Sequence, residues 1–258
     1  MERIRIAFFD VDGTLSDMET KRISAENLQT LHRLREKGVL VCIATGRCPA
    51  FLPRLDGFEP DVWMTCSGSL CYNAQQTIFS RPVPAEAVQR IIRNAAALGR
   101  PVTISTRDRL IANGINGELE YYYAVADWKL TVAEDFEAAS RTDVYQLSTS
   151  CRKPEYPLIL QGVQGAEITG WWDRAVDIIP AGGGKGLGVE KILAHYGLDR
   201  TQAIAFGDGE NDIAMLQAVG CGVAMGNARP QLKAVADEVC GSVGENGVYH
   251  YCLEHGLI

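Results

Sequence analysis

The sequence predicts an α/β fold: a doubly wound parallel sheet that carries a second, inserted domain of mixed α+β type. Short apolar runs such as Ile6–Phe9 and Ala203–Phe206 end in polar or acidic loops. Such runs, without polar alternation, are typical of strands buried on both faces of a parallel sheet. This rhythm stops near Arg81–Pro84 and resumes near Pro180. The intervening stretch of about a hundred residues is the size of a domain rather than of a loop.

The first half of the parallel sheet is predicted from residues 6 to 68. Ser24 is a suitable N-cap for a first helix that carries leucines on one side and ends at Gly38. Because parallel crossovers are right-handed, successive strands place their carboxyl ends at one edge of the sheet. The three strands are Ile6–Phe9, Val39–Ala44 and Val62–Met64, with a short helix beginning near Pro49 between the last two.

The inserted domain is predicted to span residues 82–180, which leaves 1–81 and 181–258 for the parallel core. A helix is expected at roughly 85 to 98, and short strands are expected at Val144–Leu147 and Leu158–Leu160. Short strands of alternating polarity, together with a helix, favour a domain of mixed α+β type.

The parallel pattern resumes after Pro180. A helix is expected from about Leu187 to Tyr196, followed by strands at Ala203–Phe206 and Cys221–Met225. If the chain returns to the far side of the first strand, Asp208 lies beside Asp10 at the topological switch point, where such sheets bind ligands.

Composition narrows the class of protein. A chain of 258 residues with 47% hydrophobic and 22% charged residues is that of a globular protein with a full core. Its net charge of -7 argues against a nucleic-acid or anionic membrane surface. We expect a cytoplasmic protein, because the start has no apolar signal segment and no run is long enough to span a membrane. Eight cysteines without a Cys-x-x-Cys pair are expected to be core residues. Nothing in the composition indicates the oligomeric state.

Two acids follow the first strand, and their position indicates chemistry. Asp10 and Asp12 stand one residue apart at the carboxyl end of a buried strand, and Gly13 allows a sharp turn. Two carboxylates crowded there repel each other unless a hard cation such as magnesium compensates them. Asp-x-Asp-Gly is also an ordinary turn sequence, so the pair alone leaves both interpretations open.

Further polar loops end at the same predicted edge and favour a phosphate site. An ionised carboxylate can attack phosphorus without a separate base, and a second one can act as acid and then as base. A hydroxyl, a lysine and magnesium would offset the charge on the phosphoryl oxygens. The glycines before Lys185 lack the P-loop spacing, so a nucleotide P-loop is not expected. The converging residues are Asp10, Asp12, Thr45, Lys185, Asp208, Asn211 and Asp212.

Taken in order, these motifs resemble the haloacid dehalogenase superfamily of phosphohydrolases, in its Cof-like branch. The motifs are Asp10-Val11-Asp12-Gly13-Thr14, Ala44-Thr45-Gly46-Arg47, Gly184-Lys185 and Gly207-Asp208-Gly209-Glu210-Asn211-Asp212. The resemblance implies a Rossmann-like core with an inserted cap domain and a Mg²⁺-dependent phosphatase acting on small phosphorylated metabolites. It implies Asp10 as the nucleophile, Asp12 as the acid/base, Thr45, Gly46, Lys185 and Asn211 as phosphate-binding residues, Asp10, Asp208 and the Asp12 carbonyl as metal ligands, and Asp212 as their support.

The chain departs from the family pattern after the third strand, and other functions stay open. Members often carry Asn-Gly after the third strand, where this chain has Cys66-Ser67-Gly68-Ser69. A phosphotransferase or mutase could use the same nucleophile, while a carbon-directed dehalogenase would need neither magnesium nor an acid at Asp12. A phospho-accepting, receiver-like signalling module also clusters aspartates with a threonine and a lysine, but it would be about half as long and would need no inserted domain.

Overall fold

The computed structural model describes residues 3–124, 128–169 and 172–258. Its strands are β1 (Ile6–Phe9), β2 (Ser16–Asp17), β3 (Arg22–Ile23), β4 (Leu40–Ala44), β5 (Val62–Thr65), β6 (Leu70–Tyr72), β7 (Thr77–Ser80), β8 (Val102–Ser105), β9 (Leu110–Ala112), β10 (Gln146–Ser150), β11 (Ala166–Thr169), β12 (Ala175–Pro180), β13 (Ala203–Gly207), β14 (Cys221–Ala224) and β15 (Glu238–Val239). Its helices are α1 (Ala25–Glu36), α2 (Ala85–Ala97), α3 (Gly117–Ala124), α4 (Phe136–Ala139), α5 (Tyr156–Ile159), α6 (Lys185–Tyr196), α7 (Ile213–Ala218), α8 (Pro230–Lys233) and α9 (Gly247–Glu254). Within these described ranges no helix is both long and apolar enough to cross a bilayer.

Contacts between Cα atoms divide the chain into two compact units. Unit 1 contains residues up to 46, 53–79 and 184–258, and unit 2 contains 47–52 and 80–183. The short segment 47–52 therefore groups with unit 2 although it follows a strand of unit 1. The predicted boundaries of the inserted domain, at residues 82 and 180, stay a prediction.

The sheet of unit 1 has the predicted doubly wound arrangement. Its strand order is β15-β14-β13-β1-β4-β5-β6-β7, and the strands from β15 to β5 are parallel. β1 and β13 are neighbours, with Phe9 opposite Phe206 and their rings stacked 5.2 Å apart. The prediction that the strand before Asp208 lies beside the strand before Asp10 is thus confirmed. Apart from β15 at the edge of the sheet, the parallel strands are almost entirely buried, as their unbroken apolar sequences require.

The first crossover helix follows its sequence signals. The Ser24 hydroxyl accepts a hydrogen bond from the backbone N–H of Asn27 at 3.1 Å, so it caps α1 as predicted. Leu31 and Leu34 are fully buried against the sheet. Gly38 follows the helix with φ of 77°, a conformation in which glycine avoids the Cβ clash of other residues.

Unit 2 is built on a five-stranded antiparallel sheet of order β11-β12-β10-β8-β9. One face is apolar and packs against α2 and α5, with Ile104, Leu147 and Ile178 in its core. The opposite face is polar although it is also buried: Ser148 lies opposite both Asp177 and Thr103 in the ladder. The two faces follow from the alternation of side chains along each strand.

Two expectations for unit 2 are corrected. Leu158–Leu160, predicted as a strand, lies in and just after the short helix α5, because Pro157 stands in its first turn and a 3₁₀ turn at Lys153–Glu155 precedes it. The strand predicted at Val144–Leu147 begins at Gln146 and continues to Ser150, where paired strands on both sides set its extent.

The cysteines behave as core residues, as predicted. All eight are free thiols, and seven are buried while Cys240 is half-buried. Burial raises the pKa of the Cys42 and Cys71 thiols, the latter to about 12, which keeps them protonated and unreactive.

Candidate active site

The acidic loop after β1 is a tight, internally bonded turn. The backbone N–H groups of Leu15 and Ser16 both donate to the carbonyl of Val11, at 3.0 and 2.8 Å. Gly13 has φ of 91°, which a residue with a Cβ would adopt only under strain. A Cβ at Gly13 would also collide with the carboxylate of Asp208. Glycine at this position therefore lets the loop after β1 press against the loop after β13.

Asp208 is held in this contact by the acidic loop itself. The Thr14 hydroxyl donates to Asp208 Oδ1 at 3.1 Å, and Thr14 is fully buried. Thr14 therefore joins the two acidic loops, a contact that sequence analysis did not predict. Its position directly after Asp-x-Asp-Gly is the signal that could have revealed this.

Lys185 stands at the first position of α6 and is completely buried. Its Nζ donates to Asp10 Oδ1 at 2.6 Å and to Asp212 Oδ1 at 2.5 Å. α6 approaches α7 closely because Gly186 has no side chain: a Cβ there would stand 2.7 Å from the carbonyl oxygen of Ala214. The close approach places one ammonium group between two carboxylates that come from different loops.

Asp212 is the organising carboxylate of the loop after β13. Its Oδ2 accepts the backbone N–H groups of Asp208 and Gly209, at 3.1 and 2.9 Å, while its Oδ1 accepts from Lys185. Both of its oxygens are therefore engaged with the protein. Asn211, the neighbouring predicted site residue, is half-buried, and its side-chain oxygen lies against Gly209.

The remaining predicted site residues lie at the ends of the same parallel strands. Thr45 and Gly46 directly follow β4, and the backbone N–H of Thr45 donates to the carbonyl of Met64 at 2.8 Å. Thr45 is buried, and Asp12 is half-buried in the acidic loop. The structure thus brings Asp10, Lys185, Asp208 and Asp212 into one cluster and places Asp12, Thr45, Gly46 and Asn211 in the loops around it.

Asn227, an exposed residue, holds the acidic loop from outside, and sequence analysis gave it no role. Asn227 Nδ2 donates to the carbonyl of Gly13 at 2.8 Å, and its Oδ1 accepts the backbone N–H of Val243 at 2.8 Å. It therefore ties the acidic loop to the segment that precedes α9. The run Gly226-Asn227-Ala228 after β14 is the available signal, because an asparagine in such a turn often bonds backbone groups.

The electrostatics of the cluster show an excess of negative charge. Burial raises the pKa of Asp10 well above its usual range; Lys185 offsets this in part, and the charges of Asp212, Asp208 and Asp12 add to it. Burial, then the charge of Asp212, raises the pKa of Asp208 to about 7. Burial alone would lower the pKa of Lys185, but the charges of Asp10 and Asp212 outweigh it and keep the ammonium charged. One lysine does not balance these carboxylates.

The donor set fits a hard divalent cation. Carboxylate oxygens of Asp10, Asp208 and Asp212 lie within 4.8 Å of one another. Oxygen ligands of this kind are those that magnesium prefers, and a cation among them would favour the ionised state of each acid. Because their pKa values are raised, Asp10 and Asp208 are the two acids whose ionised state a cation would stabilise most. The residues present therefore fit a magnesium ion.

A family model described as haloacid dehalogenase-like hydrolase matches residues 7–252. The chain belongs to this family. It is 30% identical over 256 residues to a putative phosphatase of Bacillus subtilis, YkrA, covering 98% of each chain. It is 29% identical to an HMP-PP phosphatase of Yersinia pseudotuberculosis, covering 98% of this chain and 95% of that one.

A solved structure agrees with the curated relatives. BT4131, described as a sugar phosphatase of haloacid dehalogenase subclass IIB, has a TM-score of 0.91 and 29% sequence identity, and the match covers 98% of this chain and all of that one. The predicted fold class, the Cof-like family and the enzyme class, a phosphohydrolase of the haloacid dehalogenase type, are confirmed. The receiver-like alternative is thereby set aside. The role of each site residue stays a prediction.

Proposed function

We propose that this enzyme is a magnesium-dependent phosphatase that hydrolyses small phosphorylated metabolites through an aspartyl-phosphate intermediate. The observation that carries the proposal is the buried cluster in which Lys185 bridges Asp10 and Asp212 beside Asp208. A buried lysine with more than one carboxylate around it is costly for a structural core. It is well suited to a dianionic phosphoryl group and its counterion.

In the proposed reaction Asp10 is the nucleophile. Its free carboxylate oxygen attacks phosphorus, the bond to the leaving-group oxygen breaks, and an aspartyl phosphate forms. Lys185 donates to the other oxygen of Asp10 and so orients the carboxylate. Asp12 gives a proton to the leaving-group oxygen. It then takes a proton from the water that attacks the aspartyl phosphate, which releases inorganic phosphate and restores Asp10.

The other residues hold the phosphoryl group and the metal. Thr45, the backbone of Gly46, Lys185 and Asn211 bind the phosphoryl oxygens. Mg²⁺, when bound, offsets the charge on those oxygens. Its proposed ligands are the carboxylates of Asp10 and Asp208 and the backbone carbonyl of Asp12. Asp212 supports the metal site through its bonds to Lys185 and to the backbone of Asp208 and Gly209.

Replacing the nucleophile tests the proposed reaction. Asp10→Asn cannot form an aspartyl phosphate, and we expect turnover of an aryl phosphate to fall by roughly 10⁴-fold or more, a loss typical of removing a nucleophile. Rapid quenching followed by intact-mass measurement should detect a phosphoenzyme in the parent and none in the variant. A matched variant that keeps the carboxylates of the site, Asp17→Asn in the hairpin after the acidic loop, should behave as the parent. A phosphoenzyme in Asp10→Asn would contradict the assignment.

We further propose that residues 82–180 form the cap domain that selects the substrate, as the family resemblance implies. In support, Arg81 joins the two segments that lead into and out of this region, donating to the carbonyls of Ala181 and Gly182 at 2.7 and 3.0 Å. Two of the named relatives are described as an HMP-PP phosphatase and a sugar phosphatase. A panel of sugar phosphates, nucleotides and pyridoxal phosphate, compared by kcat/KM, would identify the class. Equal rates on every member would contradict selection by a cap.

A further inference from the structure

The turn between β5 and β6 has an unusual backbone. Cys66, Ser67 and Gly68 are successive residues with φ of 49°, 52° and 91°. Two adjacent residues with side chains in the left-handed region are rare, and such strain persists where the surrounding structure enforces it, often at functional sites. The turn is also almost completely buried, with Ser67 only 2% exposed. Hairpin turns usually lie at the surface, so burial and strain both mark this one.

This turn touches both of the proposed phosphate-binding loops of unit 1. The backbone N–H of Ser67 donates to the carbonyl of Thr45 at 3.1 Å. A Cβ on Gly68 would collide with the carbonyl of Gly184, the residue that precedes Lys185. The turn is therefore wedged between the end of β4 and the start of α6.

The Ser67 side chain points toward Gly46, in the loop after β4 that is proposed to bind phosphate. Its hydroxyl lies 3.5 Å from the position that a Cβ on Gly46 would occupy, so it faces the bare backbone of that glycine. Ser67 is as deeply buried as Thr45 and Lys185, the residues proposed to bind phosphate. In the part of the chain that the structure describes, no hydrogen bond engages the Ser67 hydroxyl. A serine held in this way has a donor available for an anion.

We propose that Ser67 is a further phosphate-binding residue, whose hydroxyl donates to a phosphoryl oxygen beside Gly46, and that the left-handed turn directs it there. This inference rests on the proposed phosphatase function. Asparagine also tolerates the left-handed region and also offers a donor, so it is a conservative replacement for Ser67.

The neighbouring serine provides a matched control. Ser69 lies in the same turn with the same 2% exposure, but it has ordinary right-handed backbone angles. Its hydroxyl is buried with no hydrogen-bond partner among the described residues. Ser69→Ala therefore removes the same atom from the same turn without removing a proposed phosphate contact.

The test is calorimetric titration of inorganic phosphate into the full-length protein in magnesium buffer, after thermal melts have shown that each variant is folded. We expect Ser67→Ala to bind phosphate about tenfold more weakly or worse, the usual loss for a hydrogen bond to a charged group. Ser69→Ala should bind as the parent does. If the Ser67→Ala protein does not fold, Ser67→Gly replaces it in the test, because glycine adopts positive φ without strain. Ser67→Gly should bind phosphate as weakly as is expected of Ser67→Ala.

The outcomes separate this inference from the proposed function. If the parent and Ser67→Ala bind phosphate equally, the hydroxyl is not a ligand and the inference is overturned while the phosphatase site stands. If the parent itself does not bind phosphate, the proposed function fails and the role of Ser67 fails with it. Tighter binding by Ser67→Asn than by Ser67→Gly would support the inference, because asparagine restores a donor in the same backbone conformation.

Discussion

Each unit of the protein buries a cluster of polar side chains against its sheet, and the two clusters are built from different groups. In unit 1 the cluster lies at the carboxyl ends of parallel strands, where Lys185 is bonded to Asp10 and Asp212. In unit 2 it lies across the middle of an antiparallel sheet and consists mainly of hydroxyl groups. There the hydrogen bonds run from Thr103 through Tyr123 and Ser148 to Asp177, at 2.7, 2.9 and 2.7 Å.

The difference shows how a functional cluster can be distinguished from a structural one. In unit 2 the hydroxyls of Tyr123 and Ser148 each accept and donate a hydrogen bond, and Asp177 is the single carboxylate that ends the series. In unit 1 several carboxylates face one ammonium, and the charges of neighbouring aspartates add to burial in raising the pKa values of Asp10 and Asp208. In unit 2 burial is the only cause that raises the pKa of Asp177. A cluster that lacks countercharge needs a partner from solution. The predictions below test this contrast, beginning with the largest effect.

Removal of divalent metal should abolish turnover. In the proposed site the carboxylates of unit 1 hold a phosphoryl dianion only with a cation among them, and Lys185 is the positive group that acts on both Asp10 and Asp208. We expect chelation to reduce the rate to background and magnesium to restore it. Calcium, with looser and higher coordination, should bind and inhibit. Steady-state assays on an aryl phosphate measure this, and full activity after chelation and dialysis would contradict the proposed metal site.

Replacing the second acid of the loop should separate the two chemical steps. Asp12→Asn loses proton transfer but keeps the backbone carbonyl proposed to bind metal. With an aryl phosphate, whose leaving group needs little protonation, the first step should survive while hydrolysis of the aspartyl phosphate slows by about 10²- to 10⁴-fold. Rapid-quench kinetics should therefore show a burst of about one phenolate per active site. An alkyl phosphate, whose leaving group must be protonated, should show no burst.

One result would contradict the proposed role of Asp12 as the acid/base. If Asp12→Asn hydrolyses aryl phosphate at the parent's steady-state rate, Asp12 is not the acid/base, although the enzyme class is unaffected. Asp17→Asn, again the control for a change in the same region, should keep the parent's rates on both substrates.

Removing the ammonium group of unit 1 should make the stability of the protein depend on magnesium. Lys185→Met leaves Asp10 and Asp212 buried without their partner, which typically costs about 3–5 kcal/mol in the free energy of unfolding. Because a divalent cation offers substitute countercharge, magnesium should restore part of this loss. Urea denaturation with and without magnesium measures both effects. Lys191→Met, an exposed change in the same helix, should alter stability by only about 1 kcal/mol or less.

The core of unit 1 was predictable because its signals are local and repeated. The unbroken apolar runs indicate buried strands, Ser24 indicates the start of a helix, and the acids mark the ends of strands. The handedness of parallel crossovers then gives the order β1-β4-β5. The position of β13 beside β1 followed from a conditional argument about the switch point. The clustering of Lys185 with Asp10 followed from the same order, although its two ion pairs depend on how closely α6 and α7 pack.

Unit 2 was predicted less well because its sheet is set by non-local pairing. The segment Leu158–Leu160 is apolar and short, and such a run fits a strand or a buried helical turn equally well. The polar face of β8, β10 and β12 contains threonine, serine and aspartate, which by pattern alone would be assigned to solvent. The left-handed turn at Ser67 also gave no sequence signal, because backbone strain comes from the surrounding contacts and not from residue preference.

The smallest expected effect concerns Asp177, the single carboxylate of the unit 2 network. Burial raises the pKa of Asp177 from 3.8 to about 6. Because the folded state holds the proton more tightly, Asp177 stabilises the fold fully below about pH 4. That stabilisation is lost as pH rises through about 6. A shift of about two pKa units corresponds to about 3 kcal/mol at most.

Asp177→Asn should remove this pH dependence while keeping an oxygen that accepts from Ser148. We expect the parent's free energy of unfolding, relative to that of Asp177→Asn, to fall by up to about 3 kcal/mol between pH 4 and pH 7.5. Urea midpoints at several pH values measure the difference, in which the contributions of Asp10 and Asp208 cancel because both proteins contain them. Turnover should be nearly unchanged. A difference that does not vary with pH would mean that Asp177 is ionised throughout, and unit 2 would then contain a charged cluster comparable to that of unit 1.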